Sequence, residues 1–471
     1  MTFSEWNSKY PNSWFSCQPG KNGFLPVQSP LKKLPEKYQI INDLLDEMKI
    51  TQSDGSTGLL GKNKFAEELV KRLPLFDFSD ETNVQLLATL QRDYTFMAAA
   101  YSLETSHYYL KDGVYGEARE DIPSVLAIPL KQLGEKNDVF PWLDYAYGYG
   151  LNNACLKEGA DPTKQESYDT VRMFNGHESE SGFINVHVAI DYQSGDLLAY
   201  QQDILKNLDD RNMKGFVQAL SNHATIFENM VSSLKTMWKS SDLNDYLSFR
   251  TFIMGQKGNK VCYPNERLNF LLNNNETETE TETETETETK NEFHSYRGET
   301  GAQDSIIPSV DNLLSLEYPK NKLTEYLFQL RNYRPKDHQA YIEYNLEQSK
   351  NLGLKDYAKE SSNASFQLLR NLESLRAFRS THWNLTKSYI IKNTKHPVAT
   401  GGTPITTWLP NQLGATLDYM SEIVEMVDIK ELNENDAVIF SKIVTDLDNQ
   451  KEFIFNEVSK LQEDFTHEDA I

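Results

Sequence analysis

Apolar residues recur at steps of three and four through most of the chain, and the longest such run lies between Ser361 and Thr403. There Leu368, Leu372, Leu375, Phe378, His382, Leu385 and Tyr389 share one face of a long helix, which sets one imidazole in the middle of an apolar stripe. A second stripe, Val84, Leu87, Leu90, Tyr94, Met97 and Tyr101, predicts a core helix with Ser79 or Asp80 as its N-cap. Shorter helices are expected at Lys37–Met48 and Lys64–Arg72, one or two amphipathic helices between Asn207 and Leu247, and two more around Leu417–Val427 and Ala437–Leu461. Ser181–Asp191 stays open. Its β-branched alternation suits a strand, yet Phe183, His187, Ile190 and Asp191 also share a helical face.

These elements predict a mostly α protein. A small N-terminal helical domain with an irregular arm is expected over residues 1–165, with its boundary in the Gly-, Asp- and Pro-containing stretch Lys157–Tyr168. A larger all-α domain should follow over 166–408, and a helical extension over 409–471 that covers a pocket or provides an association surface. Residues 273–290, in which Glu and Thr alternate from Glu276 to Thr289, cannot bury apolar surface and read as a disordered acidic insertion within the larger domain.

Composition narrows the classes. With 471 residues and 39% hydrophobic content the chain can build a sizeable core. The formal charge is −22, and the chain stays acidic without the seven glutamates of the repeat, so nucleic acid is not an expected partner. Cys17, Cys155 and Cys262 lie far apart with no metal or disulfide spacing. No signal-peptide pattern or membrane-length apolar run is present, and a cytoplasmic protein, monomeric or weakly self-associating, is expected.

A histidine in an apolar stripe is either a hydrogen-bonded core residue or a metal ligand, and spacing does not separate the two. Its surroundings point further. Phe378-Arg379-Ser380-x-His382, then Lys387-x-Tyr389-Ile390 and the loop Thr400-Gly401-Gly402-Thr403, resemble the proximal helix and substrate-closing loop of the indoleamine 2,3-dioxygenase family. Phe249-Arg250-x-Phe252-Ile253 followed by Gly255-x-Lys257-Gly258-Asn259 resembles the segment whose arginine grips the substrate carboxylate in that family. A guanidinium offers a planar fork that a carboxylate matches with two bonds. Gly298 to Ser305 resembles the small-residue segment crossing the haem edge, with Gly301 and Ala302 against the cofactor and Glu299 where the family has a second glycine.

The resemblance implies haem b bound through the His382 nitrogen, a distal helix carrying His187 as the catalytic side chain, and a substrate pocket of Phe183, Tyr145, Arg250 and Thr400–Thr403. It also puts Gly148 on the pocket wall. At the His187 position the best-known animal enzymes have serine, and related tryptophan 2,3-dioxygenases have histidine. Asp245 stands where relatives have an aromatic, with Tyr246 alongside. The implied reaction uses O2 to cleave the indole C2–C3 bond of L-tryptophan or a related indoleamine, giving N-formylkynurenine. Two rival readings stay open: a haem enzyme performing another transformation of a tryptophan derivative, as in the pyrrolnitrin pathway, and a haem-free helical interaction protein. For the Thr400–Thr403 loop a phosphate-binding role is the rival, and the Lys-Ser/Thr it requires is absent. Tyr145 also suits plain core packing.

Deletion of Glu276–Thr289 is expected to leave cofactor content and activity near wild type, because loop closure changes by only about 0.6 kcal/mol per doubling of length. Loss of soluble, cofactor-bound protein would assign the repeat a structural role.

Overall fold

A computed structural model describes residues 13–111, 113–243, 245–272, 291–318, 322–393, 398–402 and 405–464. The acidic repeat and Thr403 therefore lie outside the described residues. The fold is mostly α, as expected, with five short strands among the described residues.

At the centre of the N-terminal part runs α1, Val84–Tyr108. Its cap is Asn83, whose side chain accepts from the Leu86 N–H at 3.0 Å, and not Ser79 or Asp80. Asn83 is the one of these residues placed to reach the first free donors of the helix. The helix is buried nearly all round and carries Arg92 and Asp93 fully inside. Arg172 donates to Asp93 at 2.9 and 3.1 Å and Arg92 at 2.8 Å. Burial alone would raise the Asp93 pKa, but the two guanidinium groups hold the carboxyl below its ordinary value.

Lys157–Tyr168 lies in and beside a hairpin of β1, Ala154–Leu156, and β2, Tyr168–Thr170, paired antiparallel with Cys155 opposite Asp169. One continuous apolar core includes residues on both sides of this hairpin, from Phe24 and Leu90 to Leu372 and Ile423. The open segment resolves as a helix, α2, Glu178–Tyr192. Helical spacing wins over β-propensity because Ile184, Val188 and Ile190 are all buried, among neighbours on several sides. The region from 194 to 250 divides into α3, Ser194–Asp209, α4, Met213–Lys235, and a short turn, Tyr246–Arg250, besides one four-residue helix.

Next come α5, Ile306–Leu313, and α6, Lys336–Leu352, and then α7, Ser362–Thr386, which packs on α4 and on α8, Ile405–Val424. Ser361 caps α7, and the helix runs on into a π-helical turn, Lys387–Ile391. A second π-helical turn, Tyr145–Tyr149, is capped by Asp144, which accepts from the N–H of Tyr147 at 2.7 Å. Such wide turns re-aim side chains and recur at functional sites. Residues 268–271 and 291–294 pair antiparallel with Leu271 opposite Asn291, so the acidic insertion springs from adjacent strand ends.

Asp93→Ala leaves the buried Arg92 without a carboxylate and Arg172 with only the exposed Asp46, and is expected to cost about 3–5 kcal/mol of stability. A denaturant midpoint within error of wild type would contradict this account of the core.

Candidate active site

A cavity of about 590 Å3 is lined by Tyr145, His187, Asp191, Asp304, Arg334 and His382, among others. It shares His187, Leu234, Gly301 and His382 with a smaller inner lobe of about 100 Å3. Together they lie within the size range of small-molecule sites.

His382 projects from the apolar stripe of α7, is partly buried, and lines both lobes. Burial, with His187 nearby, pushes its pKa down to about 4. His187 comes from α2, and burial likewise lowers its pKa to about 4. Both rings are neutral at pH 7. The Nδ1 of His187 lies 3.0 Å from the Phe183 carbonyl, which can only accept. Nδ1 therefore carries the proton, and Nε2 is left as a bare acceptor.

Tyr145 lines the larger cavity and donates to Asp191 at 2.7 Å, while its own N–H donates to Gln303 at 3.0 Å. Burial and the proximity of Asp304 push the Asp191 carboxyl well above the usual carboxylate range, and burial also raises Asp304. Cations border the same cavity. Arg334 donates to the carbonyls of Asp304 and Ala302 at 2.9 and 2.8 Å, leaving Nη1 without a partner among the described residues. Arg379, from α7, is held by Asp311 at 2.7 Å and Thr416 at 2.6 Å. Gln412 of α8 also lines the cavity, so the C-terminal extension closes part of it.

The inner lobe is walled by Phe183, Tyr246, Tyr389, Leu385 and Ile390. Tyr246 supplies the aromatic wall at the place where Asp245 had left it in question; Asp245 stands outside, 3.8 Å from His177. Phe183 lies 5.5 Å from Tyr246 and 4.8 Å from His187, ring centre to ring centre. Thr400 and Gly301 line this lobe, and Gly301 and Ala302 line the larger one.

Gly298 holds the cavity-edge segment against its neighbours, since a Cβ there would come within 2.4 Å of the carbonyls of Ile253 and Thr400. Gly402 takes φ +84, and a Cβ there would sit 1.9 Å from the Lys257 carbonyl. The carbonyl of Gly401 accepts from Arg297 and Tyr326, so Gly401 and Gly402 brace the loop without lining either lobe. Gly148 packs against Leu143 and Thr95 behind the cavity.

Arg250 is fully buried but lines neither lobe. It donates to the Tyr115 hydroxyl at 2.9 Å and the Val398 carbonyl at 2.5 Å, its Nε is without a partner, and no carboxylate pairs with it among the described residues. Tyr246 lies in electrostatic reach of Arg250 and of Glu299. Glu299 is 3% exposed and lines the inner lobe; its carboxyl has no hydrogen-bond partner among the described residues. Burial, with Asp144 adding, pushes its pKa up to about 8. The Asp191–Asp304 pair and Arg334 went unread in the sequence, although Asp191 follows His187 by one helical turn and so shares its face.

A family model for indoleamine 2,3-dioxygenase matches residues 15–413, and the chain belongs to this family of haem-dependent oxidoreductases acting on tryptophan or its derivatives. It is a dioxygenase. Among curated relatives, an indoleamine 2,3-dioxygenase of Aspergillus candidus is 23% identical over 84% of this chain and 94% of its own length. One from Saccharomyces cerevisiae is 22% identical, covering 80% of this chain and 79% of its own. A 6-hydroxytryptophan 2,3-dioxygenase of Fusarium equiseti is 23% identical over 68% of this chain and 70% of its own.

The folded protein retains a proton on Glu299 that the unfolded chain loses near pH 4.5, so this residue's contribution to stability declines as pH rises toward 8. Without cofactor or substrate, Glu299→Gln should gain on wild type by about 1 kcal/mol or more between pH 5 and pH 8. Parallel stability curves across that range would contradict the burial of this carboxyl.

Proposed function

We propose that the chain binds haem b through His382 and uses O2 to cleave the indole C2–C3 bond of L-tryptophan, both oxygen atoms entering the product, N-formylkynurenine. The observation carrying this reading is a pair of neutral imidazoles, from α2 and α7, in one cavity bordered by arginines.

The residues fit the cofactor. Among the described residues no cluster of three or more His, Cys, Asp or Glu side chains could hold a metal ion, so a lone His382 suits a metal that brings its own equatorial ligands. Its depressed pKa keeps the ring nitrogen unprotonated, as ligation requires. Arg334, with its unpartnered Nη1, and Arg379 offer positive charge to the two propionates of a haem, and Gly301 and Ala302 leave room for a flat ring. When bound, the haem supplies the centre at which dioxygen becomes reactive toward the indole.

The protein's own residues would then position the substrate. His187 Nε2, an acceptor by its tautomer, is suited to the indole N–H, and Phe183 and Tyr246 are suited to the faces of the ring. This role orients the indole and needs no proton abstraction by His187. Arg250 is the natural partner for the carboxylate, which would replace the Val398 carbonyl on its guanidinium as the 398–402 segment adjusts. The largely apolar lining of the lobe limits the water that a bound ring would meet. A second reading, ring-substituted tryptophans as substrates, draws on the Fusarium relative whose name carries 6-hydroxytryptophan.

Purified protein given L-tryptophan, ascorbate and air should yield N-formylkynurenine; another tryptophan-derived product, or none, would overturn the assignment. Arg250→Ala should retain haem while losing a charge-assisted partner worth about 2–5 kcal/mol, so apparent tryptophan affinity falls roughly thirty-fold or more. Unchanged affinity would rule out Arg250 as the carboxylate anchor.

A further inference from the structure

Resting on that reading of the site, we propose that Glu299 receives the α-ammonium of an amino-acid substrate in the inner lobe, and so makes the enzyme select free amino acids over indole acids that lack the amine.

Three observations lead there. First, Glu299 is the sole acidic side chain among the inner-lobe lining residues, and no Lys or Arg lines that lobe with it. The two imidazoles beside it are neutral at pH 7. A buried carboxyl without a cation or donor is an unfavourable arrangement unless something else completes it. Its high pKa has the same origin, and an arriving ammonium would favour the carboxylate form.

Second, the backbone around Glu299 is committed elsewhere. Its carbonyl accepts from the Thr400 hydroxyl. Gly298 before it is walled by backbone of Gly255, Ile253 and Thr400, and the Thr300 hydroxyl accepts from the Ala302 N–H. The segment is therefore fixed in place, and the carboxyl is its one polar group aimed at the lobe without a described partner.

Third, the acid lies at the polar end of the lobe. The Val398 carbonyl accepts from Arg250 and the Thr400 hydroxyl donates to the Glu299 backbone carbonyl, and two residues of chain span at most about 7 Å, so the backbone that carries the acid stands close to the guanidinium. Tyr246 feels both charges. An α-amino acid carries its carboxylate and ammonium on one carbon, so a guanidinium and a carboxyl side chain anchored to so short a segment are placed to take one group each. Phe183, Leu234, Met237 and Leu385 also line the lobe and give the ring apolar surroundings.

The test uses the haem-loaded protein and compares equilibrium binding of L-tryptophan with that of indole-3-propionate, which has the ring and the carboxylate but no amine. Wild type should prefer L-tryptophan. In Glu299→Gln, and in Glu299→Gly as a second variant, that preference should shrink tenfold or more. Indole-3-propionate should bind as in wild type or better, which also reports an intact pocket. Arg250→Ala should instead weaken both ligands. An unchanged preference in the Glu299 variants overturns the inference while leaving the proposed function intact. So does an altered preference between tryptophan and 6-hydroxytryptophan alone, which would place the ring hydroxyl at the acid. A wild-type protein that binds neither ligand overturns the proposed function, and this inference with it.

Discussion

Desolvation of a few titratable groups is the constraint on which the site depends. The cavity between α2 and α7 holds His187 and His382 neutral by excluding water, and the same exclusion keeps Glu299 and Asp191 protonated at pH values where free carboxyls have ionised. An imidazolium, protonated on both ring nitrogens, could neither ligate a metal nor accept an indole N–H. The chemistry available to the cavity thus follows from its burial, and its burial follows from packing: α7 lies between α4 and α8, and Gln412 of α8 reaches the cavity wall.

Several charges buried away from this site are paired. Asp93 sits between Arg92 and Arg172, and Glu104 receives the N–H groups of Phe65 and Ala66 along with Arg119. Arg250 and Glu299 differ from these. Each is buried, each lacks an oppositely charged partner among the described residues, and they are linked through Tyr246 and the 398–402 segment. A buried guanidinium and a buried carboxyl, each without an oppositely charged partner among the described residues, are the basis of the proposed zwitterion site, and such a site bears on substrate choice more directly than overall fold does.

Much of this was legible in the chain. The His382 helix could be read because its stripe follows a 3.6-residue period over many turns, which few other structures mimic. Ser181–Asp191 could not be decided locally, since Ile, Val and Phe satisfy strand and helix alike and only the surrounding helices choose between them. The Asn83 cap was missed because several capping residues stand in a row before the stripe. Asp245 cast doubt on the aromatic wall, yet the short turn there presents its neighbour Tyr246, a matter of one residue in helical phase. The isolation of Glu299 is a tertiary fact: from sequence it was a departure from two adjacent glycines, and nothing local told whether a partner awaited it. Likewise, Arg250 was visible as a motif, but its contact with the Val398 carbonyl depends on residues 148 positions away.

The account's central claim is that one cavity presents His382 to a haem iron while His187 stays available to the substrate. Titrating the cofactor-free protein with haemin and recording magnetic circular dichroism tests it directly. One equivalent should saturate the protein, with the signature of a single histidine ligand that His382→Ala abolishes and His187→Ser preserves. A spectrum of two histidine ligands, or saturable binding that survives His382→Ala unchanged, would contradict it.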